Sequence, residues 1–478
     1  QIEMHRPQGK LKALAFCRNV THARMMCEAM GEYYKTAYLT GRNDIGERIR
    51  AYNDLQSDNA DLEILFTVDI LNEGVDIPGV NMVLFLRPTE SSTIFIQQLG
   101  RGLRKYANKP YVTVLDFIGN SYKRSVQIAF ALSSLAENFV VEKSLMASLV
   151  RDNFTALGLS KYGVKIEIDD LSKEEILQYI DKENFNNLKY LKQDYFNFKK
   201  YINSEFYPKH MDYLNNDCAP DIIRFMNVRI KGKKNYSYYN FLRSIEEENL
   251  PLFSEKQVEF INYLSGLLPL VRTHEFEIVK CLLEGMQSID SIDLALKEKI
   301  PGYHREELSH ALRFMQFIKA TSNEISLDVE IDDQLREYLD DLLEYGIVRY
   351  ANDIGEETGF KLWYNYRMDQ VQLKLLKNPG YTAVGTYYYE DYVVIFASLK
   401  KDLPEEDRRN YKDKFLQANL FQWESMNNLP MSDLTKLNRS SYAHLFIRKV
   451  AEENGIVLPF TYVGKGKLTN CRKMDNGN

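Results

Sequence analysis

The sequence has 478 residues, too many for one ordinary hydrophobic core, and this length predicts two to four domains. A composition of 45% hydrophobic and 27% charged residues is typical of a globular protein, and no apolar run is long enough to cross a bilayer, which argues against a membrane protein. The net charge of −6 neither requires nor excludes nucleic acid as a partner, because a binder with this charge would concentrate its basic residues locally.

The cysteines argue against a metal centre and against a disulfide framework. There are five of them, scattered along the chain, and no two form a C-x-x-C pair. Such cysteines are typical of a reducing compartment, so we predict a cytoplasmic protein without a metal site. No signal peptide is recognisable, and both ends stop without a closing element, so we expect a fragment of a longer protein.

The first 120 residues alternate between strand-like and helical segments. Apolar runs typical of strands occupy the segments 11–17, 35–41, 62–68, 81–86 and 111–118. Helical patterns of about 10–15 residues lie between them, two of them behind a Thr or Ser that can act as an N-cap. Because parallel strands need such crossovers, the pattern predicts an α/β fold with a parallel sheet.

The remainder of the chain changes character twice. From about residue 121 to residue 345 one helical segment follows another, and three short helices before a strand-like turn allow a winged-helix arrangement. From residue 346 the chain is β-rich, with strands predicted within 385–401 and 444–466. We therefore predict an α/β domain, a mainly helical connecting region and a truncated β-rich α+β domain, with the bounds 1–135, 136–345 and 346–478.

Two segments that follow buried strands have the composition of a ligand site. The loop DILNEGVDIPGV (69–80) follows one strand, and a helical segment containing QQLGRGLR (97–104) follows the next. In a parallel sheet both would begin at the carboxyl edge, where ligands bind. Arg101 and Arg104 are three residues apart, so on a helix they share a face. They are either ordinary surface residues or two guanidinium groups directed at an anionic ligand.

The loop after the earlier strand offers further polar groups. Gly74 would let the backbone approach a ligand closely, and Asp76 could accept hydrogen bonds from a ribose. Thr67, at the strand end, could donate to a phosphate. For Gly74 and Asp76 the alternative is a tight surface turn before Pro78.

Three segments, taken in chain order, resemble motifs of superfamily 2 helicases. The pattern T-x-D…E-G-V-D-I-P resembles motif V of that family, and Q-x-x-G-R-x-x-R resembles motif VI. The segment AFCRNVTHA (15–23), a strand, a turn and the start of a helix, resembles motif IV. Over about residues 10–120 the chain thus resembles the second RecA-like lobe of these helicases, which implies an ATP-dependent helicase or translocase.

The resemblance implies roles for individual residues. In this family the motif VI helix faces ATP across the cleft between two lobes, so Arg101 and Arg104 would meet the γ-phosphate, with Arg104 as the arginine finger. The other assignments carried over are Gln97 and Gly100 beside the nucleotide, Gly74 and Asp76 at its edge, and Thr67 and Arg18 on the nucleic-acid side.

Two motifs of the first lobe are missing from the sequence. There is no G-x-x-x-x-G-K-[ST] loop and no D-E-x-H-type segment after a strand. The resemblance places both in a first lobe that precedes residue 1. ATP would bind between the two lobes, with Mg²⁺ held mainly by the absent one, so we expect this chain not to hydrolyse ATP unaided.

The C-terminal part carries a second resemblance. Residues 362–425 and the later LPFTYVGKG resemble an uncharacterised domain at the C terminus of bacterial helicases that often carry an amino-terminal phospholipase-D-like nuclease. This implies DNA as a partner and a role in restriction, defence or repair. The alternatives are a non-catalytic DNA-binding scaffold with a relic motor lobe, or an RNA helicase, because backbone contacts dominate with either nucleic acid.

One basic segment is a further candidate for contact with nucleic acid. RIKGKKNYSYYNFLR (229–243) interleaves basic and aromatic residues, as proteins that bind single strands do. Its candidate nucleic-acid contacts are Lys231, Lys233 and Lys234. The alternative is a basic turn before a helix whose tyrosines pack inward, and we favour that interpretation.

Two other clusters have an ordinary structural explanation. Trp363 and Trp423, with the tyrosines 387–389, could form a base-stacking platform, but such residues more often form the core of a small β domain. The acidic run within 402–407 has no histidine beside it, so we interpret it as a solvated loop rather than a metal site.

Overall fold

The fold is that of a computed structural model. It describes the whole chain apart from the side chain of Ser144 and residues 1, 8, 69–76, 88–108, 110, 118–128, 130–131, 134–142, 159, 161–164, 183, 185, 217–218, 231, 356–358, 381–384, 402–410, 425–428, 454 and 470–478. The chain divides into two compact units: residues 1–205 with 218–220, and residues 206–217 with 221–478.

The first unit is built on a five-stranded parallel sheet. Its strands are β1 (Ala13–Phe16), β2 (Thr36–Leu39), β3 (Ile64–Thr67), β4 (Met82–Phe85) and β5 (Thr113–Asp116). They lie in the order β2-β3-β1-β4-β5, and every neighbouring pair is parallel. The three inner strands are continuous apolar runs because both of their faces are buried. The predicted parallel α/β fold is therefore confirmed.

Two helices cover the two faces of this sheet. They are α1 (Val20–Met30) and α2 (Ile45–Gln56). Helix α1 begins behind Asn19, whose side chain accepts a hydrogen bond from the His22 backbone, and it buries Ala23 on the face of the alanines of β1. Helix α2 begins in a capping box formed by Asp44 and Glu47, and its aromatic and leucine side chains pack on the opposite face.

The first unit also contains a small helical cluster. Its elements are α3 (Lys143–Arg151), a 3₁₀ turn (Thr155–Leu157), α4 (Asp170–Lys182) and α5 (Leu188–Tyr201). Helices α3 and α4 share a core formed by Met146, Val150 and Ile180, each of them nearly or completely buried.

The second unit begins with helices and short hairpins. These are α6 (His210–Leu214), α7 (Ile222–Asn227), β6 (Arg229–Ile230), β7 (Lys233–Lys234), α8 (Tyr238–Ser244), α9 (Glu255–Leu267), α10 (His274–Leu283), α11 (Ile289–Lys299), α12 (Arg305–Phe314), β8 (Ile318–Ala320), β9 (Ile325–Leu327) and α13 (Asp333–Asp353). Helices α10, α11 and α12 share one core and are followed by the β8–β9 hairpin. Ser288 forms a bridge with Glu324. Ser288 thus supplies a third short strand position between α10 and α11. This order of helices and strands is that of a winged helix, as the sequence suggested.

The C-terminal part of the second unit is β-rich, as predicted. It contains β10 (Asn365–Tyr366), α14 (Met368–Lys374), β11 (Thr386–Tyr388), β12 (Tyr392–Ser398), β13 (Lys414–Gln417), β14 (Leu420–Gln422), α15 (Met431–Arg439), β15 (Tyr442–Arg448), β16 (Glu452–Glu453), β17 (Ile456–Val457) and β18 (Phe460–Gly466). Five strands form a mixed sheet in the order β10-β18-β15-β12-β11, with β12 and β15 parallel and the other pairs antiparallel. One face packs against an aromatic core and the other against α15.

The helical part and the C-terminal sheet of this unit are joined by hydrogen bonds. The Arg367 guanidinium donates to the carbonyl oxygens of Gly266 and Leu268 at 2.8 and 2.9 Å. Along α14, Gln370 donates to the carbonyl of Pro269 at 2.7 Å, and Lys374 to that of Val271 at 3.4 Å. We call this ladder of contacts between 266–272 and 367–374 the seam.

The seam bears on the domain bounds. Val271 packs in the aromatic core of the C-terminal sheet together with Ile354 at the end of α13. Residue 346, where the predicted third domain begins, lies inside α13. The division at 1–135, 136–345 and 346–478 stays a prediction.

Candidate nucleotide and nucleic-acid sites

The carboxyl ends of the central strands are level with one another. In the register of the sheet, Phe16 of β1 lies beside Thr67 of β3 and Phe85 of β4, and Phe85 lies beside Asp116 of β5. The residues that follow these positions therefore leave the sheet along a single edge. In parallel α/β sheets this is the edge at which ligands bind.

The segments predicted to bind nucleotide leave this edge from β3 and β4, on either side of β1. Most of the predicted site residues lie outside the described residues: Gln97, Gly100, Arg101 and Arg104 of the motif VI segment, Gly74 and Asp76 of the motif V loop, and Lys231 of the basic segment. Their roles stay predictions, carried by the sequence motif and by the position of the strands that precede them.

Thr67 is built into the sheet. It is 1% exposed, and its hydroxyl donates to the carbonyl of Ala15 at 3.4 Å. Its own carbonyl accepts from the Cys17 backbone at 2.8 Å. A contact between this hydroxyl and a phosphate would require the bond to Ala15 to be given up.

Arg18 follows β1 at the same edge and is exposed. Its backbone N–H donates to Nδ1 of His22 at 3.3 Å, which closes the turn before α1. His22 is half-buried, so the structure gives it a role in shaping the turn. The Arg18 side chain remains the described candidate for contact with nucleic acid at this edge.

Two titratable groups at this edge were not singled out from the sequence. Burial raises the pKa of Asp116 to about 7, so this carboxyl carries a proton through much of the acidic range. Burial also raises the pKa of the Cys17 thiol to about 12, which makes it an unreactive cysteine. The signal for Asp116 was its position at the end of the apolar run 111–118.

The basic segment forms a short hairpin of β6 and β7. Lys233 and Lys234 are exposed, and Lys234 Nζ lies 5.6 Å from the centroid of the Tyr236 ring. Desolvation and the nearby Arg367 guanidinium lower the pKa of Lys234. The expectation that the tyrosines pack inward is confirmed for Tyr238, which is fully buried.

The neighbouring Tyr239 is also buried, at 1% exposure, whereas Tyr236 is 53% exposed. The inward-packing interpretation therefore holds for the helix that follows the hairpin and not for the residue at its base.

The two tryptophans differ. Trp423 is half-buried and packs with the core that α15 covers, as the structural interpretation predicted. The tyrosines at 387 and 388 are 8% and 9% exposed and belong to the two cores of the C-terminal sheet. For Trp363 the prediction of a core position was wrong, because this side chain is 67% exposed. It lies in the turn before β10.

No cluster of three His, Cys, Asp or Glu side chains that could hold a metal ion occurs among the residues the structure describes. The acidic run 402–407 lies outside them. Along the described helices, none combines the length and the apolar character that crossing a membrane requires.

Three segments of the chain match known protein families. Residues 2–106 match the family described as "Helicase conserved C-terminal domain". Residues 191–324 match "Domain of unknown function (DUF8090)", and residues 360–478 match "Domain of unknown function (DUF3427)". The last two matches cover most of the second unit and give it no activity.

Curated relatives resemble only part of the chain. It is 41% identical over 63 residues, 13% of its length, to "Putative ATP-dependent helicase IRC3" of Saccharomyces cerevisiae, of which 9% is covered. It is 33% identical over 129 residues, 23% of its length, to "Type I restriction enzyme EcoKI endonuclease subunit" of Escherichia coli, of which 11% is covered. The matches thus span about a tenth of these relatives.

Among solved structures, the Escherichia coli DEAD-box protein SrmB, crystallised with the regulator of ribonuclease activity A, is 20% identical with a TM-score of 0.21, covering 24% of this chain and 65% of that one. The family match over 2–106 and the parallel sheet together confirm the predicted helicase C-terminal lobe of RecA-like type at the start of the chain. The resemblance of the C-terminal part to phospholipase-D-like fusion proteins stays a prediction.

Proposed function

We propose that the first unit is the second motor lobe of a nucleic-acid-dependent ATPase, a helicase or translocase, whose ATP site is completed by a separate first lobe. The observation that supports this most directly is the level carboxyl edge of the parallel sheet. From it, the segments with motifs V and VI leave on either side of β1. The match of residues 2–106 to the helicase conserved C-terminal domain supports the same proposal.

In this proposal the motif VI segment stabilises the charge that develops during phosphoryl transfer. Arg104 is the arginine finger at the γ-phosphate, and Arg101 lies beside it, with Gln97 and Gly100 close to the nucleotide. A guanidinium is suited to this task because its planar fork engages two phosphate oxygens at once, which a lysine cannot do. Such a finger accelerates the reaction by roughly 10³–10⁵-fold.

The remaining nucleotide contacts come from the motif V loop, where Gly74 and Asp76 lie at the edge of the nucleotide. ATP is the substrate, and a Mg²⁺ bound with it would supply charge neutralisation at its phosphates. We assign the ion mainly to the first lobe, where the resemblance places the metal-binding motif. The first lobe is thus a required partner, and the present chain alone does not turn over ATP.

The nucleic acid would run past the turn that follows β1, where Arg18 is exposed, with Thr67 behind it. In the second unit, Lys231, Lys233 and Lys234 would add backbone contacts. We propose DNA as the substrate, in bacterial restriction, defence or repair in the cytoplasm, with a phospholipase-D-like nuclease as a further partner. A relative named as a restriction endonuclease subunit supports DNA as the substrate, and RNA is the alternative that the experiment below tests.

The experiment is ATP turnover by the protein that contains both lobes, with and without single-stranded DNA or RNA of the same sequence. We expect stimulation by DNA and a loss of roughly 10³–10⁵-fold in turnover for Arg104→Ala, with ATP binding kept. The matched control is Arg24→Ala, which removes an exposed arginine of α1 that makes only a 3.9 Å pair with Glu28. Turnover that is indifferent to Arg104, or absent in the wild type, would contradict the motor proposal and favour a non-catalytic scaffold.

A further inference from the structure

Three segments of the second unit concentrate positive charge in an acidic chain. Residues 228–230, 232–239, 359–368 and 455–469 together contain seven lysines or arginines and no aspartate or glutamate, whereas the whole chain has a net charge of −6. We call the surface that they form the basic aromatic surface. Such local concentration of charge is what an acidic protein needs to hold a polyanion.

The three segments are neighbours in space. Strand β10 pairs with β18, so that Asn365 lies beside Thr461. Arg229 of the hairpin packs against Gly455, where an added Cβ would lie 3.4 Å from its Nε. The electrostatic effect of Arg367 on Lys234 joins the hairpin to the segment that follows β10. The basic residues therefore belong to one surface rather than to three separate turns.

Two aromatic side chains are exposed on this surface, and both have a left-handed backbone. Tyr236 has φ of +69° and Trp363 has φ of +62°, with exposures of 53% and 67%. A bulky residue in this region is strained by roughly 1–2 kcal/mol, and glycine avoids the strain. At Phe154, with φ of +59°, burial to 1% exposure compensates for it. Tyr236 and Trp363 have no such compensation from burial.

The turn that carries Trp363 is held firmly. The Trp363 N–H donates to the carbonyl of Tyr462 at 2.8 Å. Beside it, the Lys361 N–H donates to the Tyr366 hydroxyl at 2.9 Å, and Lys361 Nζ donates to the carbonyl of Asp353 at 2.6 Å. The indole is thus presented to solvent on a fixed support, which lowers the entropic cost of binding a partner there.

The surroundings of this ring favour an anionic partner. Strand β18 passes beside the turn and continues into Lys465 and Lys467, both exposed. The nearby carboxylates of Asp353 and Asp369 are 3.1 and 3.0 Å from guanidinium nitrogens, so arginines compensate their charge. An exposed aromatic ring on a basic surface suits a ligand with flat apolar faces on a charged backbone.

We propose that the basic aromatic surface binds single-stranded nucleic acid, with unpaired bases stacked on Trp363 and Tyr236 and with phosphates neutralised by the lysines around them. Unpaired bases offer the stacking faces that a duplex hides, and stacking tolerates any sequence. This binding needs neither ATP nor a first lobe. It deepens the proposed function, which already assigns Lys233 and Lys234 to nucleic acid, but its test without ATP can fail while DNA-stimulated ATP turnover by the motor still holds, and the reverse.

The chain is suited to a direct test because it has only two tryptophans. In a Trp423→Phe variant of the full chain, Trp363 is the one remaining tryptophan. We would titrate this variant, without ATP, with oligothymidylate, oligouridylate and a DNA duplex, and follow indole fluorescence beside the anisotropy of a labelled strand. We expect both single strands to quench the indole as they bind, and the duplex to bind more weakly without quenching. Equal quenching by DNA and RNA assigns the surface to single strands of both kinds, and a difference identifies the preferred one.

Three further variants separate stacking from folding. Trp363→Gly should weaken single-strand binding by roughly 5- to 150-fold, while the unfolding midpoint stays unchanged or rises because glycine accepts this backbone. Trp363→Phe should keep most of the affinity. In Lys233→Ala/Lys234→Ala, the slope of log affinity against log salt should fall by about 0.7 per lysine. The matched control is Leu252→Ala, which removes an apolar side chain of the same unit that is 90% exposed.

The proposal is overturned if strands bind without quenching Trp363, if Trp363→Gly binds like the wild type, or if no single strand binds at all. Quenching by the duplex equal to that by the single strand would also overturn it, because it would point to a charge effect rather than to stacking.

Discussion

The parallel sheet of the first unit and the mixed sheet of the second differ in what their interiors contain. Around the first sheet, the two cores are formed by apolar side chains such as Leu14, Phe66 and Val83, and the buried Thr67 hydroxyl bonds only to the backbone of the sheet itself. Around the second, buried polar side chains join different elements: His444 bonds Tyr462, and Gln370 bonds a carbonyl of the seam. The first interior depends mainly on apolar burial, and the second depends on burial together with hydrogen bonds between elements.

The difference shows where each unit can place a binding site. A parallel sheet with apolar faces leaves only its carboxyl edge for ligands, so the chemistry lies in the loops of that edge. A mixed sheet tied by polar contacts can support a turn rigidly at its rim, and the turn of Trp363 is an example. A site on such a turn has no motif of fixed spacing, and it is found from geometry.

The most severe test of the polar interior is the pair Arg272–Glu275. Both side chains are nearly buried, at 6% and 3% exposure, and Arg272 Nε donates to both carboxylate oxygens, at 3.1 and 3.2 Å. Glu275→Ala should lower the free energy of unfolding by about 3–5 kcal/mol, because it leaves a buried guanidinium without its counter-charge. Denaturant unfolding followed by far-UV circular dichroism measures this.

The control for that experiment is Arg305→Ala, which breaks an exposed pair with Asp290. Solvent already screens this pair, so we expect no measurable change in stability. Equal effects of the two substitutions would show that the second interior does not depend on its buried ion pair.

A smaller effect is expected from close packing within α13. A Cβ added at Gly346 would lie 2.3 Å from Cε2 of Phe276, a ring that is fully buried. Gly346→Ala should therefore destabilise the second unit by about 1–3 kcal/mol, because the surrounding core must move. Gly266→Ala in α9 is the matched control, since a Cβ there meets nothing within 4 Å. Helix propensity predicts a gain of about 0.5–1 kcal/mol at that site. A gain at both sites would mean that the core is loosely packed.

Two opposite dependences of stability on pH are also expected. Burial raises the pKa of Asp116 to about 7, above its usual value of about 3.9. The stability that the protonated carboxyl contributes is complete below a pH of about 3.9 and is lost as the pH rises through about 7. Burial, and then Lys465, lowers the pKa of His444 to about 4, below its usual value of about 6.5. The stability that the neutral imidazole contributes is complete above a pH of about 6.5 and is lost as the pH falls through about 4.

Denaturation midpoints between acidic and mildly basic pH test both groups. Relative to the wild type, Asp116→Asn should gain stability on going from acidic to basic pH. The same comparison for His444→Asn should show a change in the opposite direction. Asp61→Asn, at an exposed carboxylate of the first unit, is the control for general charge effects. Parallel curves for the wild type and both variants would contradict the burial of these groups.

Much of the first fold could be predicted because its signals are local. The apolar run 62–68 predicts a buried strand, and the structure has it at Ile64–Thr67. The run 81–86 became Met82–Phe85 in the same way. For the second unit, the strands within 385–401 and 444–466 and the winged-helix order were also predicted, whereas β10, β13 and β14 were not. The seam was not, because hydrogen bonds from Arg367 to carbonyls about a hundred residues earlier leave no mark in any short window.

The site residues divide in a similar manner. The helicase motifs were recognised by their resemblance to those of a known family, and the family match over 2–106 agrees with that resemblance. The exposure of Trp363 could not be predicted, because a tryptophan among tyrosines and apolar residues has the composition of a core. The exposure of Trp363 depends on the positive φ of its own backbone, and the residue types of 360–364 do not predict a positive φ.

The seam limits how the two segments that form it can be exchanged by recombination during evolution. A chain that carried 360–478 without the residues near 270 would keep Arg367, Gln370 and Lys374 but lose the four carbonyl oxygens that accept from them. The aromatic core would also lack Val271. Recombination between these two segments would thus leave each without its hydrogen-bonding partner. We therefore expect related genomes to encode the two segments together in one chain.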